Sequence, residues 1–292
     1  MQILDALAKY LVQLEADGRS PHTIAQYRRH VRALARWAAD VGHGGDIGEI
    51  GHEDLAQFLC DPVATTRPDG GKKKATSTNA LRTSLRCFFR FVHQADYAST
   101  NAARLIRRAR CAPSPPRAVP QDDLDRLLAV LAEAEDPRAR RDHALFLLIT
   151  KTGIRVGSAV AIEVEDLDLD SGEVQIRSAK GDQPDVAFLG EEVVKVLRDF
   201  IGNRSSGPLF AANDDRRVSI RHVQRRFAQW LEKAGVKRRA SVHGLRHAFA
   251  ERLYDLTGDL LLVRDALGHR TVKSTEVYSR VRRSAVRAAV AG

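Results

Sequence analysis

The sequence predicts a mainly α protein of two domains, the first all-helical and the second mainly helical with a small antiparallel sheet. Three observations carry that expectation. Apolar residues recur at spacings of three and four through most of the chain, as they do in amphipathic helices. Strict alternation is confined to two short runs, Glu173 to Ser178 and Asp185 to Leu189, which read as the arms of a β-hairpin. Between the two halves, Ala112 to Pro120 has four prolines in its last eight residues, and no helix continues through such a stretch. At 292 residues and about 150 residues per domain, two domains are the expected count. The predicted division is residues 1–111, a linker over 112–119, and residues 120–292 with a C-terminal helix over 281–291.

In the first domain, Ser20-Pro21 reads as an N-cap followed by proline at the first helical position. Ile24, Tyr27, Val31, Leu34 and Ala38 then form one apolar stripe, while Arg28, Arg32 and Arg36 repeat every four residues on another face. A second helix repeats the design. Leu81, Leu85, Phe88, Phe89 and Val92 face inward, and Arg82, Arg86 and Arg90 line the outside. Charged rows usually mark solvated faces, but those alternate in sign, and apart from Asp40, four residues after Arg36, neither row has acidic partners one turn away. Both rows therefore read as a nucleic-acid surface. Asp61 to Thr78, which contains Gly70-Gly71 and Lys72 to Lys74, reads as a loop whose lysines touch phosphate or solvent.

In the second domain, Leu124, Leu127, Leu128 and Leu131 mark a helix, and Ala144 to Lys151 mark another that ends at Gly153. The hairpin follows, with Lys180-Gly181-Asp182 between its arms. Helical periodicity returns over 191–200, 219–232, 244–256, 259–267 and 271–278, before the final helix. The segment Arg216 to Arg239 holds nine basic residues against one acid, Glu232, with Arg221 and Arg225 opposite Val223, Phe227 and Trp230.

The formal charge is +10, from 47 Lys and Arg against 37 Asp and Glu, which points to a polyanionic partner without naming it. No wholly apolar run exceeds six residues, the length of Ala144 to Ile149, far short of the roughly 20 that cross a bilayer. The start, Met1 to Asp5, has no basic segment leading into an apolar one, so no secretory leader is expected. Three widely spaced cysteines without a CxxC pair argue against disulfides and structural zinc, and make a reducing cytoplasm the expected location. No metal site and no nucleotide-binding loop is read from the chain.

Four segments of the second half together resemble the tyrosine recombinases, the phage-integrase and Xer-like site-specific recombinase family. Thr152-Gly153-Ile154-Arg155-Val156 resembles that family's first arginine box, and His243-Gly244-Leu245-Arg246-His247 its H-x-L-R box. Leu267-Gly268-His269-Arg270 with Thr275-Glu276-Val277-Tyr278 resembles its L-G-H and nucleophile segments, and Ala179-Lys180-Gly181 its β-strand lysine. The resemblance implies an N-terminal SAM-like helical bundle that binds the core DNA site, followed by an α+β catalytic domain. It implies a catalytic set of Tyr278, Arg155, Lys180, His243, Arg246 and His269, with no cofactor or metal. The chain departs from the family pattern at Gly157-Ser158, where Ser-Glu is common, and at Gln183 and Asp185, where basic residues are common.

The residues themselves support the chemistry. Exchanging phosphodiesters without loss of bond energy needs a nucleophile that stores the phosphate covalently, and a tyrosine oxygen can do so. Guanidinium forks suit non-bridging phosphate oxygens, which assigns Arg155 and Arg246 as clamps. His243, three residues before Arg246 on one helical face, is placed to accept the tyrosine proton. By resemblance, Lys180 protonates the leaving 5′-oxygen. On one continuous helix His269 and Tyr278 would stand about 13 Å apart, so they share a phosphate only if the chain breaks at Gly268 and restarts at Thr271. Each residue alone has a plainer reading: Arg155 paired with Glu163 or Asp166, Tyr278 as a packing residue, Lys180 as a surface lysine. Their common occurrence in family order outweighs those readings.

The expected function is site-specific recombination of double-stranded DNA with paired recombination sites, through a 3′-phosphotyrosine. By resemblance the enzyme assembles as a homo-tetramer, or as a hetero-tetramer with a second recombinase, through the C-terminal helix. The arm-binding domain of some phage integrases is not expected. Two alternatives stay open: a type IB topoisomerase, which reseals the same strand, and a non-catalytic sequence-specific DNA-binding regulator.

Overall fold

The computed structural model describes residues 1–111, 117–177, 185–212 and 216–268, together with Thr275 and Val290. The chain divides into two compact units, Met1–Ala112 and Pro113–Gly292.

The first unit packs five helices, α1 (Ile3–Ala16), α2 (Pro21–Asp40), α3 (His52–Cys60), α4 (Pro62–Thr65) and α5 (Ala75–Gln94). Helix α2 starts where its sequence says: Ser20 Oγ accepts from Thr23 N at 3.3 Å with Pro21 in the first turn. Leu7, Tyr10, Val31, Leu34, Leu55, Phe58, Leu85 and Phe88 fill the core. Each fully buried side chain of this size contributes about 1.5–3 kcal/mol. The apolar stripes read from α2 and α5 face this core.

Two polar links cross the first unit. His30 Nδ1 lies 2.8 Å from Ser84 Oγ, whose hydroxyl donates to the Ala80 carbonyl at 3.1 Å. With that hydrogen committed, His30 is the donor to Ser84. The Asn79 amide, 2% exposed, pairs with the backbone of Ala109 in both directions, at 2.8 and 2.9 Å.

The segment read as a loop over 61–78 is more ordered than its composition suggests. Asp61 caps α4 through Val63 N at 2.8 Å, and Thr66 bridges Lys72 around a turn closed by Arg67 N to Gly71 O at 2.7 Å. Lys73 Nζ donates to the carbonyls of Val63 and Ala64 at 2.9 and 3.1 Å. A cation belongs at these end-of-helix carbonyls, so Lys73 is occupied inside the unit rather than presented to solvent.

The second unit is built around α7 (Pro137–Thr152), flanked by α6 (Gln121–Ala132), α9 (Glu191–Ile201), α10 (Ile220–Lys233) and α11 (Val242–Thr257). Residues 144–150 of α7 are buried on every side, as expected of a helix apolar all round. Gly153 ends it in the left-handed conformation at φ 67°. The short α8 (Val156–Ala159) and α12 (Leu260–Ala266) complete the helices among the described residues. The sheet has three antiparallel strands in the order β1 (Leu167–Asp168), β2 (Glu173–Ile176), β3 (Asp185–Phe188), with Val174 opposite both Leu167 and Ala187. The hairpin read from sequence is β2–β3. Strand β1 adds a third arm of two residues, too short for any alternation to reveal. Of the stretches expected to be helical over 271–278 and 281–291, only Thr275 and Val290 are among the described residues. No helix among the described residues is long and apolar enough to cross a membrane.

Candidate active site

Three of the six predicted catalytic residues, Arg155, His243 and Arg246, are described; Lys180, His269 and Tyr278 lie outside the described residues.

Arg246 sits in the second turn of α11 and is 3% exposed. Its Nη1 donates to the Gly153 carbonyl at 2.6 Å, and its Nη2 to the Leu267 carbonyl at 2.6 Å. Gly153 caps the end of α7, and Leu267 caps the end of α12. Helix C-termini present unsatisfied carbonyls and partial negative charge, so this buried cation is compensated by two helix ends. One guanidinium thereby joins the first arginine box, the H-x-L-R box and the start of the L-G-H segment. Sequence reasoning assigned Arg246 only to a phosphate. Its structural work was missed, because the carbonyls that define it belong to remote residues.

Arg155 is the opposite case. It occupies the N-cap of α8 in extended conformation, at φ −70° and ψ 143°, and its side chain is exposed. Among the described residues its guanidinium makes no hydrogen bond or ion pair. The plainer partners considered for it are taken: Glu163 pairs with Arg217, and Asp166 with Arg177 at 2.7 Å. Arg155 is thus an uncommitted cation beside a committed one.

His243 lies in the first turn of α11. Its pKa is lowered from 6.5, first by burial and then by the charges of Arg246 and Arg155. The His247 ring stands edge-on to it with centroids 4.6 Å apart and an interplanar angle of 79°. Burial, His243 and Arg246 push His247 down to about 4. Both imidazoles are therefore neutral at pH 7, the state in which His243 can take a proton. The glycine inside the motif has a steric cause. A Cβ on Gly244 would stand 2.8 Å from the Arg117 carbonyl and 3.0 Å from Val119 Cγ2. That close approach is sealed by Val119 N donating to the Gly244 carbonyl at 3.2 Å. Gly153 is constrained twice, by its positive φ and by the Phe249 ring against which a Cβ would collide.

The predicted DNA-facing residues divide by unit. On α2 and α5, Arg32, Arg36, Arg86 and Arg90 are exposed and Arg28 half-buried, none of them in an ion pair among the described residues. Arg82 is half-buried and donates to Thr78 Oγ1 at 3.0 Å. In the second unit Arg221 and Arg225 are exposed on α10. Arg217, itself exposed, and Arg226 pair with acids instead: Arg217 with Glu163, and Arg226 Nε with Asp142 at 2.6 Å. Asp142, 2% exposed, is a hub that sequence reasoning missed. It also accepts from Arg141 at 2.8 Å and from Trp230 Nε1 at 2.9 Å. The available signal was an acid, Asp142, standing just before the apolar run Ala144 to Ile149.

Comparison with known proteins agrees with this geometry. The model of the phage integrase family matches residues 117–284, and that of the phage integrase N-terminal SAM-like domain matches residues 7–96. Tyrosine recombinase XerC of Shigella dysenteriae serotype 1 (strain Sd197) is 30% identical over 279 residues, covering 93% of this chain and 90% of the relative. XerC of Neisseria meningitidis serogroup C is 28% identical over 287 residues, covering 96% and 93%. Among solved structures, XerH site-specific recombinase bound to palindromic difH substrate superposes with a TM-score of 0.75 at 19% identity, covering 96% of this chain and 84% of that one. A lambda integrase(75-356) dimer bound to a COC' core site gives 0.71 at 20% identity, covering 93% and 96%. The two family models and the XerC relatives together identify a site-specific tyrosine recombinase acting on DNA, an enzyme that cleaves and rejoins strands. The chain belongs to the phage integrase family, and its whole-length similarity is to the XerC recombinases.

Proposed function

We propose that Tyr278 is the nucleophile of a strand exchange in which the phosphate passes through a 3′-phosphotyrosine. The tyrosine oxygen forms a bond to phosphorus, the bond to the 5′-oxygen breaks, and a free 5′-hydroxyl leaves. Attack by the partner strand's 5′-hydroxyl reverses the step and releases the tyrosine. An unperturbed phenol has a pKa near 10, so at pH 7 only about one in a thousand is ionised, a deficit of about 4 kcal/mol. His243 takes that proton, Lys180 protonates the departing oxygen, and His269 hydrogen-bonds the phosphate. Arg155 and Arg246 hold its non-bridging oxygens, where preorganised charge is usually the largest catalytic contribution.

The observation that carries this reading is the Arg246 bridge. It ties three segments of the resemblance to one point, with Arg155 and His243 close enough for both guanidiniums to depress the histidine. The substrate in this reading is double-stranded DNA with paired sites. Four copies assemble on two sites through the helix over 281–291, and the work is done in the cytoplasm, where the DNA is. Incubating wild type and Tyr278→Phe with a nicked suicide substrate tests the nucleophile. Wild type gives a covalent protein–DNA adduct and the variant none; equal adduct from both refutes the assignment. A plasmid with paired sites separates exchange, which gives deletion or inversion products, from resealing of the same strand.

A further inference from the structure

Among the described residues nothing accepts from the exposed Arg155 guanidinium, so its aim has to come from the backbone that carries it. That backbone is held on both sides. After it, the Arg155 carbonyl accepts from Ala159 N at 2.8 Å in α8. Before it, Ile154 is buried in the core of the unit, and its N–H donates to Thr152 Oγ1 at 3.4 Å. Gly153 then makes the left-handed turn out of α7.

Two residues of α11, three apart and so on one side of the helix, reach that turn. Arg246 holds the Gly153 carbonyl. Phe249 closes on the Gly153 Cα: its Cγ, Cδ1 and Cε1 all stand within 2.9 Å of where a Cβ would lie. The missing side chain is what lets the ring approach. Phe249 also packs against the cluster of Ala250, Val263 and Leu267, and the Leu267 carbonyl is the second acceptor of Arg246. The ring therefore joins by packing the same two segments that the guanidinium joins by hydrogen bonds. Arg252 backs it, with its guanidinium carbon 6.0 Å from the ring centroid and Nη2 donating to the Thr150 carbonyl at 3.4 Å.

We propose that Phe249 is a positioning residue for Arg155. A hydrogen bond to one carbonyl leaves a turn free to rotate about that bond, and a flat ring against the neighbouring Cα removes the freedom. Arg155, two residues further along a buried and bonded stretch, is aimed as a consequence. The proposal deepens the reading of Arg155 as a phosphate clamp and rests on it. A misplacement of about 1 Å at a reacting group costs about 10²-fold in rate. A leucine in place of the ring lets the turn shift by a fraction of that, so Phe249→Leu is expected to cleave about tenfold more slowly.

Single-turnover adduct formation on the suicide substrate, at saturating DNA, is measured for wild type, Phe249→Leu, Arg155→Met and the double variant. Leu253→Val, one turn along α11 in the same cluster, is the packing control, expected within about twofold of wild type. Independent sites multiply in rate, whereas residues acting through one group do not. The double variant is therefore expected to cleave at the rate of Arg155→Met. A further tenfold loss in the double variant overturns the proposal, because Phe249 then acts through something other than Arg155. So does an equal loss in Leu253→Val, or a wild-type rate in Phe249→Leu. Trp230 fluorescence establishes that each variant is folded, and Phe249→Met, also without a flat ring, replaces the leucine variant if that one is not. An Arg155→Met that cleaves as fast as wild type refutes the clamp itself, and the proposal with it.

Discussion

Replacing Arg246 by methionine should unfold the second unit before it abolishes chemistry. The side chain is 3% exposed and donates two 2.6 Å hydrogen bonds to the carbonyls of Gly153 and Leu267. A hydrogen bond to a charged group contributes about 1.5–3 kcal/mol net, so the pair amounts to about 3–6 kcal/mol. Domains are stable by only about 5–15 kcal/mol. Arg155→Met removes an exposed guanidinium without a bonded partner among the described residues, so its cost is expected at about 0.5 kcal/mol or less. The two tryptophans make the measurement clean. Trp37 lies in the first unit and Trp230 in the second, so a Trp37→Phe background leaves Trp230 as the sole reporter. Urea unfolding followed by its fluorescence, without DNA, should place the Arg246→Met midpoint well below that of Arg155→Met, which should match the parent. Equal midpoints for the two arginine variants would refute the structural role assigned to Arg246.

Three further outcomes are expected. His243 is depressed by burial and by Arg246 and Arg155, so the acid limb of single-turnover cleavage should lie below pH 6.5. Arg155→Met should slow cleavage by about 10²–10³-fold and move that limb upward; a wild-type limb at or above pH 6.5 contradicts the assignment. In the first unit, burial followed by Arg29 and Lys73 pushes His30 down from 6.5 to about 4. The unfolded chain then binds the extra proton between those values, so stability is full above pH 6.5 and falls toward pH 4. At about 1.4 kcal/mol per pKa unit the ceiling is about 3 kcal/mol, and solvent screening of a half-exposed ring cuts it to about 1–2. Trp37 fluorescence melts against pH should show that slope and lose it in His30→Gln. Gly244→Ala forces a methyl to 2.8 Å from the Arg117 carbonyl. It should cost about 1–3 kcal/mol and weaken cleavage by shifting His243; a melting point equal to wild type would show that the linker yields freely.

The parts of the fold that were legible from sequence are those specified by neighbours in the chain. Ser20-Pro21 announces α2, Gly153 ends α7, and alternation marks β2 and β3, because capping, left-handed φ and pleat are local properties. Helices α1 and α3 went unassigned; neither Gln2 nor Gly51 supplies a side-chain cap of the Ser20 kind. Strand β1 is two residues long and exists only by pairing with β2. The order in Asp61 to Thr78 depends on Lys73 reaching carbonyls nine and ten residues back. Charge rows on α2 and α5 were legible because an unpaired cation shows in the chain as a missing acid. The row on α10 was read as too uniform, because the acids that take Arg226 and Arg217 lie 84 and 54 positions away.

Of the motif residues, Arg155, His243 and Arg246 are described and stand together, yet their grouping conceals a division of labour. Arg246 and Arg155 carry the same group, and a resemblance assigns both to one phosphate. Only burial and partners separate them. Arg246 is fixed before any substrate arrives, bonded across 93 residues to the turn that leads into Arg155. It therefore holds its charge at the site without reorganising. Arg155 is exposed, and a guanidinium of that kind gives up about 2 kcal/mol of rotamer freedom when it is ordered. That cost falls due only when a phosphate is present to accept from it. In the proposed mechanism, a site built this way keeps one half of its clamp rigid as part of the fold. The other half is left for the substrate to complete, so substitutions at Arg246 should register as stability and those at Arg155 as rate.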